Sequence, residues 1–129
     1  MTASTLTAST LEVTHEYLAA WQRKDADAIA AHVHTHVHFK GPMTELQGRE
    51  PFIAACKRMF PMLKEYRVRS VAATEDRAIF VYDFVCVEPI GLCRTAELIT
   101  VKDGLIRDVE LFFDARPFEK LASVKAAQK

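Results

Sequence analysis

The sequence carries no net charge, since 17 Lys and Arg balance 17 Asp and Glu. A chain that grips nucleic acid through its phosphates usually has a basic face, so this balance argues against a nucleic-acid partner. It argues equally against a polybasic protein of membrane surfaces. No apolar run reaches the roughly 18 residues needed to cross a bilayer, so no membrane partner is expected. The Ser/Thr/Ala-rich start, Met1 to Thr10, has neither the basic segment nor the apolar stretch of a secretory signal. Cysteine is scarce: three residues, an odd number, with no Cys-x-x-Cys pair. That pattern makes neither a disulfide framework nor a zinc site, and a reduced, cytoplasmic setting is the expectation. Internal repeats are absent, and only the leader is of low complexity.

What remains is ordinary globular material. The 129 residues make one domain, and half of them are apolar. A chain of this length buries roughly two-thirds of its unfolded surface, enough for a core. Residues 1–9 read as a disordered leader, 10–122 as the domain and 123–129 as a polar tail. Ser9 and Glu12 stand at capping-box spacing, and Leu11, Tyr17, Leu18 and Trp21 then fall at helical spacing, predicting a helix from about Thr10 to Arg23. Asp25 is placed to cap a short helix, Ala26 to His32. His36–Lys40 reads as a strand ended by Gly41-Pro42. Gly48-Arg49-Glu50-Pro51 opens a third helix that stops near Phe60-Pro61.

After Met62 the apolar period changes from 3.6 to 2. Glu65–Thr74, Ala78–Val87, Leu92–Val101 and Leu105–Phe113 read as four strands, and their short connections admit only antiparallel hairpins. Arg116–Leu121 reads as a last short helix. Helices first and a strand meander afterwards is an α+β pattern.

Hairpin arithmetic then predicts which residues share a face. Centred between Pro89 and Ile90, the first hairpin sets Cys86 opposite Cys93, Phe84 opposite Thr95, Tyr82 opposite Glu97 and Phe80 opposite Ile99. At the next turn, a two-residue Asp103-Gly104 connection would set Glu97 against Glu110. A three-residue Lys102-Asp103-Gly104 turn with a bulge at Gly104 instead pairs Glu97 with Val109, and is preferred. Val109, Leu111 and Phe113 then join the face of Glu97. Both ribbon faces are rich in apolar residues. One is expected to meet the helices around a core or pocket, and the other a second subunit in a homodimer.

Several segments, in this order and spacing, carry a resemblance. They are Tyr17-Leu-Ala-Ala-Trp21, Lys24-Asp-Ala-Asp-Ala-Ile29, His38-Phe-Lys-Gly-Pro42, Gly48-Arg49-Glu50 and Val101-Lys-Asp-Gly-Leu-Ile106 leading to Phe112-Phe113-Asp114. From about Leu11 to Phe118 the chain resembles the nuclear-transport-factor-2-like superfamily, in its SnoaL-like and ketosteroid-isomerase-like branch. The resemblance implies a cone: a curved, mostly antiparallel (mixed) sheet wrapped around three N-terminal helices, with an internal pocket. The fold hosts isomerases, polyketide cyclases, epoxide hydrolases, dehydratases and non-catalytic binders, so it does not by itself name an activity. In ketosteroid isomerases an Asp base works with an oxyanion hole made by a Tyr and a protonated Asp. By resemblance Tyr17 holds the place of that tyrosine and Glu97 that of the protonated acid. The place of the base, just before Pro42, is Gly41. The epoxide-hydrolase arrangement, an Arg-x-Asp with an Asp on the next strand, meets Thr95, Glu97 and Leu111 instead.

The candidate chemistry follows. Glu97, buried among Phe80, Phe84 and Phe113, would have a raised pKa and could donate a hydrogen bond or carry a proton, with Tyr17 and Tyr82 as partners. The alternative is a carboxyl satisfied by Tyr82, or one exposed by a register slip. Trp21, Phe39, Met59, Phe80, Phe84, Thr95, Val109, Leu111 and Phe113 are the expected substrate-binding wall, with Trp21 and the methionines equally able to serve as core. His32, His34, His36 and His38 alternate at a spacing that can chelate a metal on a strand. The resemblance turns Val37 and Phe39 inward, so His36 and His38 should point out, and His34 is the candidate to replace the missing base. Cys86 and Cys93 are expected to be reduced pocket residues, and Cys56 packing. The expected function is cofactor-independent isomerisation, cyclisation or dehydration of a small apolar or ketone-bearing molecule. The rival is a non-catalytic binding or dimerisation module, and a metal-assisted lyase stands third.

Overall fold

The computed structural model describes residues 4–127, of which 123–127 are described only as helical backbone. The first helix, α1, spans Thr5–Gln22. It begins earlier than the capping box at Ser9 predicts, because Ser4 is the N-cap and accepts from Thr7 N at 2.9 Å. Residues 4–9 are therefore cap and opening turns of α1 and no loose leader. Thr7 Oγ1 accepts from Glu75 N at 2.8 Å, and buried Thr10 donates to Glu75 O at 2.7 Å. These bonds fasten the start of α1 to a turn of the sheet.

Asp25 caps α2 (Ala26–Ala31), its carboxylate accepting from Ala28 N. Strand β1 (Val33–Lys40) and the short β2 (Glu45–Gln47) form a hairpin before α3 (Arg49–Met59). A single 3-10 turn, Phe60–Met62, leads into β3 (Leu63–Thr74), β4 (Arg77–Cys86), β5 (Leu92–Lys102) and β6 (Leu105–Phe113). The last helix, α4, runs Arg116–Ala127, past the predicted end at Leu121 and into the expected polar tail, whose last two residues lie outside the described ones. The six strands make one mixed sheet in the order β2-β1-β6-β5-β4-β3, with β1 parallel to β6 and the other pairs antiparallel. Register shifts in β3, between Leu63 and Glu65 and between Val68 and Ser70, add residues to one side of the ladder. Such bulges bend a strand and raise its twist. The sheet thereby curves around α1, which packs on β3 and β4, while α3 covers β1 and β2.

Both predicted hairpin registers are corrected. In the first, Phe84 lies opposite Cys93, Tyr82 opposite Thr95, Phe80 opposite Glu97 and Ala78 opposite Ile99. The cause is a wider loop, Val87–Gly91. Val87 N donates to Met62 O instead of across the hairpin, and Cys86 N closes the turn on Gly91 O, each at 2.8 Å. The shift is two residues, so every side chain keeps its predicted face. Cys86 and Cys93 are no longer opposite; Cys86 pairs with Leu63, and all three cysteines are free and buried.

In the second hairpin the turn is the two-residue Asp103-Gly104, with φ of 54° and 76°. Two left-handed residues are what a tight hairpin of native twist requires. The extra residue sits inside β6, where Arg107 falls between the pairs Val101–Ile106 and Thr100–Asp108. Glu97 consequently faces Leu111, not Val109, and Glu110 lies opposite Leu98 on the other face. The like-charge contact is avoided by a bulge within the strand rather than at the turn.

Candidate functional site

The inward side chains of β4 to β6 and the facing sides of α1 and α3 enclose a cavity of about 420 Å³. Helical spacing on α3 supplies Phe52, Ala55, Cys56 and Met59, four residues of one face. Alternation on β4 and β5 supplies Tyr82 and Phe84, then Cys93, Thr95 and Glu97. From α1 come Tyr17 and Trp21, one turn apart. Exposed Met43, Thr44 and Arg58 mark the mouth, with Phe118 of α4 beside it.

Among the described residues Glu97 is the one carboxylate on this wall. It is 4% exposed. Burial pushes its carboxyl up to about 7, while the Tyr82 and Tyr17 phenols nearby hold it down. The phenols of Tyr17, Tyr66 and Tyr82 are all raised well above their usual range, chiefly by burial and next by the Glu97 charge. Glu97 Oε2 and the Tyr17 and Tyr66 hydroxyls are nonetheless buried without hydrogen-bond partners. Unpaired buried polar atoms are rare, and a pair of them on a cavity wall leaves hydrogen-bonding capacity for a ligand oxygen. Burial and the Glu97 charge likewise raise the Cys56 thiol, so it stays protonated and a poor nucleophile.

Most of the predicted wall is present: Trp21, Phe39 and Met59 on one side, Phe84, Thr95, Leu111 and Phe113 on the other. Phe80 and Val109 are the exceptions. Both are buried but do not reach the cavity; Phe80 packs behind Tyr17, ring centroids 6.3 Å apart. Trp21 serves two roles, lining the cavity while packing against Phe60, Tyr66 and Phe84. Cys56, read as packing alone, also lines it. Sequence reasoning missed Phe52, Arg58, Phe118 and Tyr66. The helical spacing of α3 was a usable signal for Phe52. Tyr66 stacks on Tyr82 at 4.3 Å, but the bulges of β3 hide its face from a simple alternation count.

Gly41 does line the cavity. A Cβ there would meet the Phe39 ring at 3.4 Å and Leu111 Cβ at 3.6 Å, so even a small side chain would be crowded. The histidines lie elsewhere. His34 Nδ1 accepts from His36 N at 2.9 Å and is not on the cavity wall, so it does not replace the missing base. His38 contacts Glu45 and lies 3.9 Å from Asp108, and His32 lies 3.4 Å from Glu16. Val37 is buried, Phe39 lines the cavity and His36 is exposed, as the resemblance implies. Among the described residues no three His, Cys, Asp or Glu side chains converge as a metal-binding group. No described helix is long and apolar enough to cross a membrane.

No curated protein sequence matches the chain. Solved structures do. A protein from Kribbella flavida is 27% identical, with a TM-score of 0.84 over 93% of this chain and 98% of its own. A protein from Jannaschia sp. assigned as a SnoaL-like polyketide cyclase is 15% identical, with a TM-score of 0.80 over 92% and 94%. An epoxide hydrolase from M. tuberculosis is 16% identical, with a TM-score of 0.73 over 88% and 89%. The family model of the SnoaL-like domain matches residues 14–109, and the chain, a curved mixed sheet packed around its helices, belongs to the SnoaL-like branch of the nuclear-transport-factor-2-like superfamily.

Proposed function

We propose that the cavity binds a small, mostly apolar molecule bearing a carbonyl, and that Glu97 moves a proton on it without a cofactor. One observation carries this reading: a single buried carboxyl poised at about 7 shares an apolar wall with two phenols, and its Oε2 has no partner. A group titrating near neutral pH is half ionised there, which suits general acid–base work. With Gly41 where relatives of the isomerase branch hold a base, one carboxyl must both take and return the proton. Ionised Glu97 removes a proton from the carbon beside the carbonyl. The Tyr17 and Tyr82 hydroxyls donate to the oxygen as negative charge gathers there. Where the carbonyl carries a β,γ double bond, protonated Glu97 then returns the proton at the γ carbon of the dienolate, and the net change is an isomerisation; on a saturated ketone the same cycle exchanges the proton.

Deuterium exchange at the carbons beside the carbonyl of cyclic ketone probes tests this in heavy water. The wild-type chain should speed the exchange. Glu97→Gln should lose on the order of a hundredfold or more of that rate, and Tyr17→Phe a similar order. Exchange that is unchanged in both variants removes the assignment. A second reading, a binding module without catalysis, is favoured by Gly41 alone; it predicts tight ketone binding with no exchange.

The outer face of the sheet supports a homodimer as a further part of the proposal. Of the six large hydrophobic residues exposed among the described residues, Ile79, Leu92 and Phe112 lie on that face and Val87 lies beside it.

A further inference from the structure

The cavity has two charged lining residues at different depths: buried Glu97, and Arg58 at the exposed mouth on α3. Among the described residues Arg58 has no carboxylate within 4.0 Å, whereas Arg23, Arg67, Arg69 and Arg116 each have one; Arg49, Arg77, Arg94 and Arg107 share this lack but do not line the cavity. Among the described residues no other cation lines the cavity. Much of the remaining lining is apolar or aromatic, Met59, Phe39, Leu111, Phe113 and Phe118 among it.

We infer that Arg58 selects ligands bearing a carboxylate at the end opposite their reactive carbonyl. The inference rests on the proposed reading of the cavity and adds a substrate class to it: an amphipathic keto acid with an apolar middle. Three physical points support it. A guanidinium presents a planar fork of donors that matches a carboxylate, and among the described residues this fork has no carboxylate partner to lose. Entry the other way round is disfavoured, because at the deep end a carboxylate would be desolvated beside Glu97, and the ionised Glu97 carboxyl repels it. One guanidinium balances one carboxylate charge, whereas a phosphate dianion would leave charge uncompensated with no second cation to meet it.

Two probes differing only in charge test the inference: 4-(4-oxocyclohexyl)benzoate and its methyl ester. Trp21, the chain's one tryptophan, lies on the cavity wall and reports binding by fluorescence. At low ionic strength the wild-type chain should bind the acid about tenfold more tightly than the ester, the weight of one charge-assisted contact at an exposed rim. Added salt should shrink that ratio. Arg58→Gln should weaken the acid about tenfold and bring the two probes level, and Arg58→Lys should keep part of the preference. Equal wild-type affinity for acid and ester overturns the inference and leaves the cavity reading standing. A preference that persists in Arg58→Gln also overturns it, since another group would then hold the carboxylate. Failure of both probes to bind the wild-type chain overturns the inference together with the cavity reading.

Discussion

Glu97 is where the fold holds a group against its ordinary chemistry. Its carboxyl stands at about 7 instead of 4.5, because burial disfavours the charged form. A raised carboxyl contributes stability that is fully present below the unfolded value, since the proton is then on in both states. As pH rises from about 4.5 through about 7, the unfolded chain ionises freely while the folded chain must keep its proton or bury a charge. Stability is therefore lost across that window, by on the order of 3 kcal/mol in all, and stays level above it. Denaturant titrations at a series of pH values should show this fall in the wild-type chain and its absence in Glu97→Gln. Parallel pH profiles for the two chains would mean that Glu97 is solvated and not poised. The residue was legible in the sequence because a lone carboxylate broke an apolar alternation, and Tyr17 through the resemblance, which sets it in the place of the oxyanion-hole tyrosine. Arg58 was not legible. A long cationic side chain on a helix flank looks the same whether it faces water or the mouth of a cavity, and only the packing of α3 against the sheet decides between them.

At the scale of elements, β6 and α1 depart from the pattern-based expectation, each for a local reason. The side chains of a strand alternate with period two, so faces survive a register shift of two residues, as they do between β4 and β5. The partner of Glu97 does not survive. It depends on where each extra residue is placed, and Arg107 takes that role inside β6, where no turn residue advertises it. The start of α1 was hidden because Ser and Thr read equally as loop or cap until a partner appears. That partner is Glu75, distant in sequence but held at 2.8 Å by Thr7. A chain that begins at Thr10 should consequently be less stable, by about 1 kcal/mol for the lost Ser4 cap and about as much for the Thr7 bond. For a domain of this size the melting temperature should drop by roughly 5–10 °C. An unchanged melting temperature would restore the reading of residues 4–9 as a loose leader.

At the scale of the whole molecule, the two faces of the sheet have different tasks. The inner face meets α1 and α3 and holds the cavity. The outer face carries Ile79, Val81, Ala96, Leu98 and Phe112 as one ladder-connected patch, since Ile79 lies opposite Leu98, Val81 opposite Ala96, and Ala96 opposite Phe112. Ile79 and Phe112 are about half exposed, at 48% and 47%. Soluble monomers rarely leave contiguous apolar patches of this kind open to water. A two-fold axis through such a patch brings like residues together, which apolar side chains tolerate and charges do not. The charged neighbours carry both signs, with Asp83 opposite Arg94 on the same face, so a second copy can offer each its counterpart. The double variant Ile79→Lys, Phe112→Lys places four like charges in the proposed interface and should reduce the mass seen by light scattering from twice that of the chain to one. Because both side chains already stand half in water, the far-ultraviolet circular dichroism and the ketone binding should hold. A wild-type chain that sediments as a monomer at every concentration would instead leave the patch without a partner copy.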